Sequence, residues 1–221
     1  GGVSGLGGLE RVAQDYFIVA PGIVLGLLAD GLSAPTLAVV LLLCTALATY
    51  SIRYLAHRIE VVYADESADV QTGYYVRFFA LLPLFPLGFI GTILSTNLVT
   101  VYFFMEVLTL TLFFLMAYFG YLDRVRIAFV SLSWGIVSAL FFLAASLVVY
   151  SRVGSFEISE LHHMAGSPLV TGAIVLFLVG LLMKLAIVPF HAWMPWVHAE
   201  HPTSIAGLLA VYANLALYIV V

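Results

Sequence analysis

Two ionisable residues stand in stretches that otherwise hold no charge. Glu106 lies within VYFFMEVLTL at 101–110, and Lys184 within GLLMKLAIVP at 180–189. In hydrocarbon each charge costs about 2.5–3.5 kcal/mol even on the lenient insertion scale, so both should turn inward, by default onto an ion or proton path. The bland alternative is a structural ion pair that locks two helices. As a relay, the pair suits a switch. Two unit charges about 4 Å apart at an effective dielectric near 20 attract by roughly 4 kcal/mol, and moving them to about 8 Å halves that. A lysine close to its partner keeps its proton, and one drawn away gives it up more readily, the more so because burial disfavours the charged form. Glu106 and Lys184 are therefore the candidate proton-relay pair.

A second cluster follows in PFHAWMPWVHAEHPT at 189–203, where His191, His198, Glu200 and His201 gather between two apolar stretches. Histidine changes charge near neutral pH, so these are candidate proton-entry groups. Metal binding is the sharper alternative. His198 and His201 are three apart, but a site would need His191 or Glu200 as a third ligand, and no metal is expected. The bland alternative is interfacial anchoring by Trp193, Trp196 and the histidines. Ser95, Thr96, Asn97, Thr109, Thr111, Ser131, Ser133, Ser138 and Asn214 read mostly as interhelical glue, with some able to hold water between the two charges.

The elements that must position these groups follow from composition. Of 221 residues, 63% are hydrophobic and 9% charged, and the mean hydropathy is +1.13. So little charge cannot cover a water-facing surface, which excludes a soluble domain and a disordered chain and leaves an integral membrane protein. A net charge of −4 without a basic tract excludes a nucleic-acid face. The one cysteine, Cys44, excludes disulfides, iron–sulfur ligation and thiolate zinc sites within the chain. Six apolar segments predict spans at 35–54, 77–94, 98–119, 126–150, 169–189 and 203–221. Strand-type alternation is absent, so a β-barrel is not expected. Pro83 and Pro86 should kink the second span, and Pro189 and Pro195 should break the chain after the fifth.

Residues 1–34 read as an aqueous and interfacial segment, with Ser33 able to cap the first helix. Residues 1–8 are glycine-rich with no basic region before an apolar stretch, unlike a signal peptide. The apolar run to Val221 suggests a piece of a longer chain. Arg53, Arg58, Arg77, Arg124 and Arg126 fall on one side of the spans and Arg11 and Arg152 on the other; five against two places the first group in the cytoplasm.

At three places the sequence resembles the antiporter-like, proton-pumping membrane subunits of respiratory complex I, with relatives in membrane-bound hydrogenases and multisubunit sodium/proton antiporters. The run from Lys184 through PFHAWMPWVHAEHPT is similar to the family's lysine, proline-phenylalanine-histidine, tryptophan-leucine-proline and proline-threonine signature. NLVTVYFFME at 97–106 is similar to its glutamate segment, and DGLS at 30–33 to the turn before its third helix. The resemblance runs from about Val24 onward and is nearest the complex I subunit 4, or M, type. It implies an all-α polytopic transmembrane helix bundle, with six spans matching about helices 3–8 of a fold of about fourteen built from inverted repeats, one helix broken.

It further implies that Glu106 and Lys184 modulate proton uptake in a subunit of a proton-translocating NADH:quinone oxidoreductase. No cofactor is expected in this chain; flavin, iron–sulfur clusters and quinone would belong to partner subunits. Expected partners are other membrane subunits, the lipid bilayer and protons, with sodium in the antiporter alternative, and the expected location is a prokaryotic inner membrane. Two positions depart from the pattern. Trp196 stands where the family usually has aspartate. Leu215, beside Asn214, stands where a second lysine or histidine commonly passes the proton on, which keeps a non-pumping scaffold subunit as a further alternative.

Overall fold

Long apolar runs without regular polar alternation have one way to satisfy their backbone groups in hydrocarbon, by hydrogen-bonding within a helix. The computed structural model, which describes residues 12–20 and 23–220, is built accordingly. Its helices are α1 (Ser33–Val62), α2 (Ala68–Leu81), α3 (Leu84–Leu94), α4 (Leu98–Phe119), α5 (Arg124–Val153), α6 (Leu169–Lys184), α7 (Trp193–Ala199) and α8 (Thr203–Val220). Single 3₁₀ segments lie at Ile158–Met164 and Phe190–Ala192. The 22 residues of α4 rise about 33 Å, enough for a hydrocarbon core of about 30 Å. By length and apolarity α1, the α2–α3 pair, α4 and α5 can cross a membrane, whereas α6, at 16 residues, is shorter.

The prolines act differently from one another. Pro83 lies between α2 and α3 and splits the second span there. Pro86 falls in the first turn of α3, where its missing N–H has no intrahelical acceptor to lose. The 30 residues of α5 end at Gly154, whose φ of 75° closes the helix by donating from its N–H to the Tyr150 carbonyl.

Two strands precede the helices and were not expected. β1 (Val12–Ala20) and β2 (Ile23–Ala29) pair antiparallel, Val12 opposite Ala29 and Ala20 opposite Ile23. Valine and isoleucine, β-branched residues with high strand propensity, occur in both. The expected aqueous character of residues 1–11 lies outside the described residues. The cap of α1 is also a correction: Asp30 Oδ1, not Ser33, accepts from the Leu32 and Ser33 N–H groups, while Ser33 Oγ accepts from the Asp30 N–H.

The hairpin and the loop after α5 together fix the start of α4. Thr96 N donates to the Gly26 carbonyl, Leu98 N to Phe156 and Ile158 N to Thr96. Asn97 caps the helix by accepting from Val99 N at 2.9 Å and donates to Glu157 at 3.0 Å. At the other end of the bundle three of the arginines counted for orientation meet tyrosines. Arg58 lies over Tyr121, Arg77 over Tyr74, and Arg124 donates to Tyr63.

Glycines set how closely α4, α5 and α6 approach. A Cβ on Gly135 would stand 2.6 Å from Thr109 of α4, and one on Gly180 would stand 2.8 Å from the Ser138 carbonyl of α5. Small residues at such crossings are the usual means of close helix packing in lipid. Ser138 adds a hydrogen bond to the Gly180 carbonyl at 2.8 Å. The main apolar core, built around Phe78, Phe85, Phe89, Leu108 and Leu115, draws on α1 to α5, α7 and α8.

Candidate functional site

Lys184 is the last residue of α6, and the way that helix ends explains its position. Ala186 takes a left-handed φ of 51°. Ile187 N then donates to the Leu182 carbonyl and Ala186 N to Met183, a paired closure that satisfies carbonyls the last turn would leave open. Pro189 lies three residues beyond, and the chain does not resume an α-helix until Trp193. The helix thus stops five residues short of the expected 169–189 span. The side chain of Lys184 sits at the negative end of the α6 dipole, which favours a cation.

That side chain is deeply enclosed. Lys184 is 2% exposed, and Nζ has no hydrogen-bond partner. It rests over the ring of Tyr212 on α8, 4.6 Å from the centroid. The Tyr212 hydroxyl in turn lies 3.0 Å from Thr109 Oγ1 on α4. Thr109 also donates to the Met105 carbonyl, so its hydroxyl is fixed one helical turn from Glu106. Thr109, Ser131, Trp134, Lys184, Trp193 and Tyr212 line a cavity of ≈10 Å³, space for about one water molecule.

Glu106 is half-buried on α4, and its Oε1 is enclosed without a hydrogen-bond partner. Lys184 lies within electrostatic reach of it. The two are not in contact: among the described residues the one salt bridge is His163 to Glu160, at the surface. The structure therefore brings the two intramembrane charges to one region but leaves them apart.

The histidine segment divides. His191 and His198 are exposed. His201 is 4% exposed, its Nδ1 bonded to the Val197 carbonyl and its Nε2 enclosed without a partner. Burial pushes its pKa below the ordinary histidine value, against smaller opposing effects from backbone hydrogen bonding. Glu200 beside it has one enclosed carboxylate oxygen without a partner, and its carbonyl accepts from Tyr121 N at 2.7 Å. Among the described residues no three His, Cys, Asp or Glu side chains gather as a metal-ligating group. Trp196 is 58% exposed.

On α8, Leu215 is buried in the apolar core. Asn214 is exposed and donates to the Ala210 carbonyl of its own helix. Sequence reasoning missed Tyr212. The available signal was a phenol in an apolar span, since a buried tyrosine hydroxyl usually finds a partner.

Residues 95–221 match the family described as NADH:quinone oxidoreductase/Mrp antiporter, TM, a match that takes in Glu106, Lys184 and the histidine segment. The chain belongs to this family. Among its relatives, the NADH-quinone oxidoreductase subunit N of Sulfurovum sp. (strain NBC37-1) is 29% identical over 154 residues, which cover 66% of this chain and 31% of that protein. Subunit M of Rickettsia felis is 28% identical over 124 residues, 55% of this chain and 25% of that protein. The chain thus spans a quarter to a third of the length of these relatives, and both N and M types are represented. A chain in the structure of the Mrp complex from Dietzia sp. DQ12-45-1b superposes with a TM-score of 0.76 at 22% identity, covering 95% of this chain and 38% of that one. That likeness establishes the antiporter-like helical fold.

Proposed function

We propose that this chain is part of a proton-translocating, antiporter-like membrane subunit of a complex I-type NADH:quinone oxidoreductase, with Glu106 and Lys184 as the proton-transfer pair. The observation that carries the reading is the setting of Lys184: a buried lysine with no hydrogen bond on Nζ, at the end of an interrupted helix, within electrostatic reach of Glu106, whose Oε1 is likewise enclosed without a partner. A purely structural ion pair would be expected to close, because an uncompensated charge in the interior is strongly destabilising. A pair held apart instead suits a device that alternates between joined and separated arrangements.

In the joined arrangement the carboxylate holds the ammonium and its proton. In the separated arrangement the ammonium can pass a proton to water, directly or through a neighbouring hydroxyl that gives up its own proton as it accepts one, and Lys184 is left as a neutral amine. A conformational or electrostatic signal from partner subunits sets which arrangement prevails. His201 and Glu200, enclosed where α7 meets the α4–α5 turn, are the proposed entry groups, and His191 and His198 face the water that supplies them. Electron transfer, flavin, iron–sulfur clusters and quinone are assigned to partner subunits. The bacterial relatives support a prokaryotic inner membrane.

The second reading is a subunit of a sodium/proton antiporter, supported by the family description, which spans both assemblies. Visible absorbance of the native complex separates them. Flavin and iron–sulfur bands with co-migrating soluble subunits mean a redox-driven pump, and a colourless complex of membrane subunits means an antiporter. The pair itself is tested by Glu106→Gln in the full-length protein. Proton translocation is expected to fall at least tenfold with assembly intact, and unchanged translocation would overturn the proposal.

A further inference from the structure

The separated arrangement raises a physical question: what holds a buried ammonium away from the nearest carboxylate? Nζ of Lys184 has no hydrogen-bond acceptor, yet it lies in one defined place, 4.6 Å above the centre of the Tyr212 ring. The face of an aromatic ring carries the negative part of its quadrupole and attracts a cation, most strongly where water is excluded. Lys184 is among the most deeply buried side chains of the molecule, so this contact is of the desolvated kind. The ring is itself fixed. Tyr212 is 4% exposed, and its hydroxyl is tied to Thr109 at 3.0 Å. Thr109 in turn packs against Gly135 of α5, where a Cβ would stand 2.6 Å from it.

We propose that Tyr212 is a positioning residue of the proton-transfer step. Its ring face is the second resting place of the Lys184 ammonium, the alternative to the Glu106 carboxylate, and the Thr109 hydrogen bond holds that face in line. The proposal rests on the reading of Glu106 and Lys184 as the transfer pair. It gives α8 a part in the switch through Tyr212, one turn before the apolar Leu215. The proton stays on Nζ while the ammonium moves from carboxylate to ring; release to water follows from the ring-side position, where no carboxylate holds the charge, and leaves a neutral amine to be reprotonated. The charged group on α4 that interacts electrostatically with Lys184 is Glu106; α5 and α7 present Ser131, Trp134 and Trp193 to the cavity beside Lys184, none of them charged.

The test replaces Tyr212 in the full-length protein, within its assembled complex in sealed membrane vesicles. Tyr212→Phe keeps the ring face and removes the hydroxyl. A series of phenylalanines at position 212 carrying one, two and three fluorines then weakens the ring face stepwise with little change of shape. The proposal expects proton translocation to fall with each fluorine, by roughly tenfold across the series. A structural role alone would not follow the fluorine count, because packing is nearly constant. A flat series in complexes that assemble and pump overturns the proposal. Lys184→Ala, measured alongside, separates the two levels. If it abolishes translocation while the series is flat, only the role of Tyr212 falls. If it pumps normally, the transfer pair falls and the role of Tyr212 with it.

Discussion

Replacing Gly180 by alanine should dislodge the lysine that lies one turn further along α6. The added Cβ would sit 2.8 Å from the Ser138 carbonyl oxygen and 3.2 Å from Phe141 Cβ. A carbonyl in the middle of α5 cannot rotate away, so the helices must separate by several tenths of an ångström. Overpacking of this kind costs about 1–3 kcal/mol. The move also strains the Ser138 to Gly180 hydrogen bond, worth about 1 kcal/mol. Against this, replacing a helix-interior glycine by alanine gains about 0.5–1 kcal/mol. The net expectation is a loss of about 1–3 kcal/mol. The same helix supplies its control: a Cβ on Gly172 would meet nothing within 4 Å, so Gly172→Ala should be neutral or slightly stabilising. The assay is thermal unfolding of the detergent-solubilised full-length protein, with proton translocation measured in parallel. Gly180→Ala should unfold earlier than Gly172→Ala and should pump less. Equal unfolding temperatures for the two variants would refute the claim that α5 and α6 are in close contact there.

Ala186→Gly should raise stability by about 0.5–1 kcal/mol, because alanine is strained at a φ of 51° and glycine is not, and denaturant unfolding reads the difference. His201 makes stability depend on pH. Its folded-state pKa lies below its unfolded value, so the unfolded chain binds the proton more readily; stability should decline as pH falls through about 6.5 and level off below the depressed folded value. His201→Gln should flatten that decline in an acid titration of unfolding, and an unchanged slope would count against burial as the cause.

How much of this was legible depended on whether the cause was local. Proline acts on its own helix, so the interruptions at Pro83 and before Trp193 could be expected from spacing. Apolar length gave the helices, although α6 stops early because Ala186, a residue with no sequence mark for a left-handed turn, closes it. The hairpin does not follow from the sequence pattern, because Val12–Ala20 is interrupted by Gln14 and Asp15 and the 7-residue apolar run Ile23–Ala29 suits a strand or an interfacial stretch equally. Glu106 and Lys184 stood out because charge is rare in such segments. What fell outside the sequence was rotation. Which residue of α8 turns toward Lys184 depends on packing against α4 and α6, and the packing selects Tyr212 and sends Leu215 into the core. The polar residues read as glue divide on the same ground. Ser138 and Thr109 bond across helices, whereas Thr111 and Ser133 bond to carbonyls of their own helices.

The central claim is that Glu106 and Lys184 act as one unit in moving protons. The direct measurement is a double-mutant cycle on proton translocation, using Glu106→Gln, Lys184→Ala and both together in the assembled complex. Groups that act as a unit give losses that do not add. The double variant is expected to translocate protons about as slowly as the slower single variant. Losses that multiply, or normal translocation in either single variant, would contradict it.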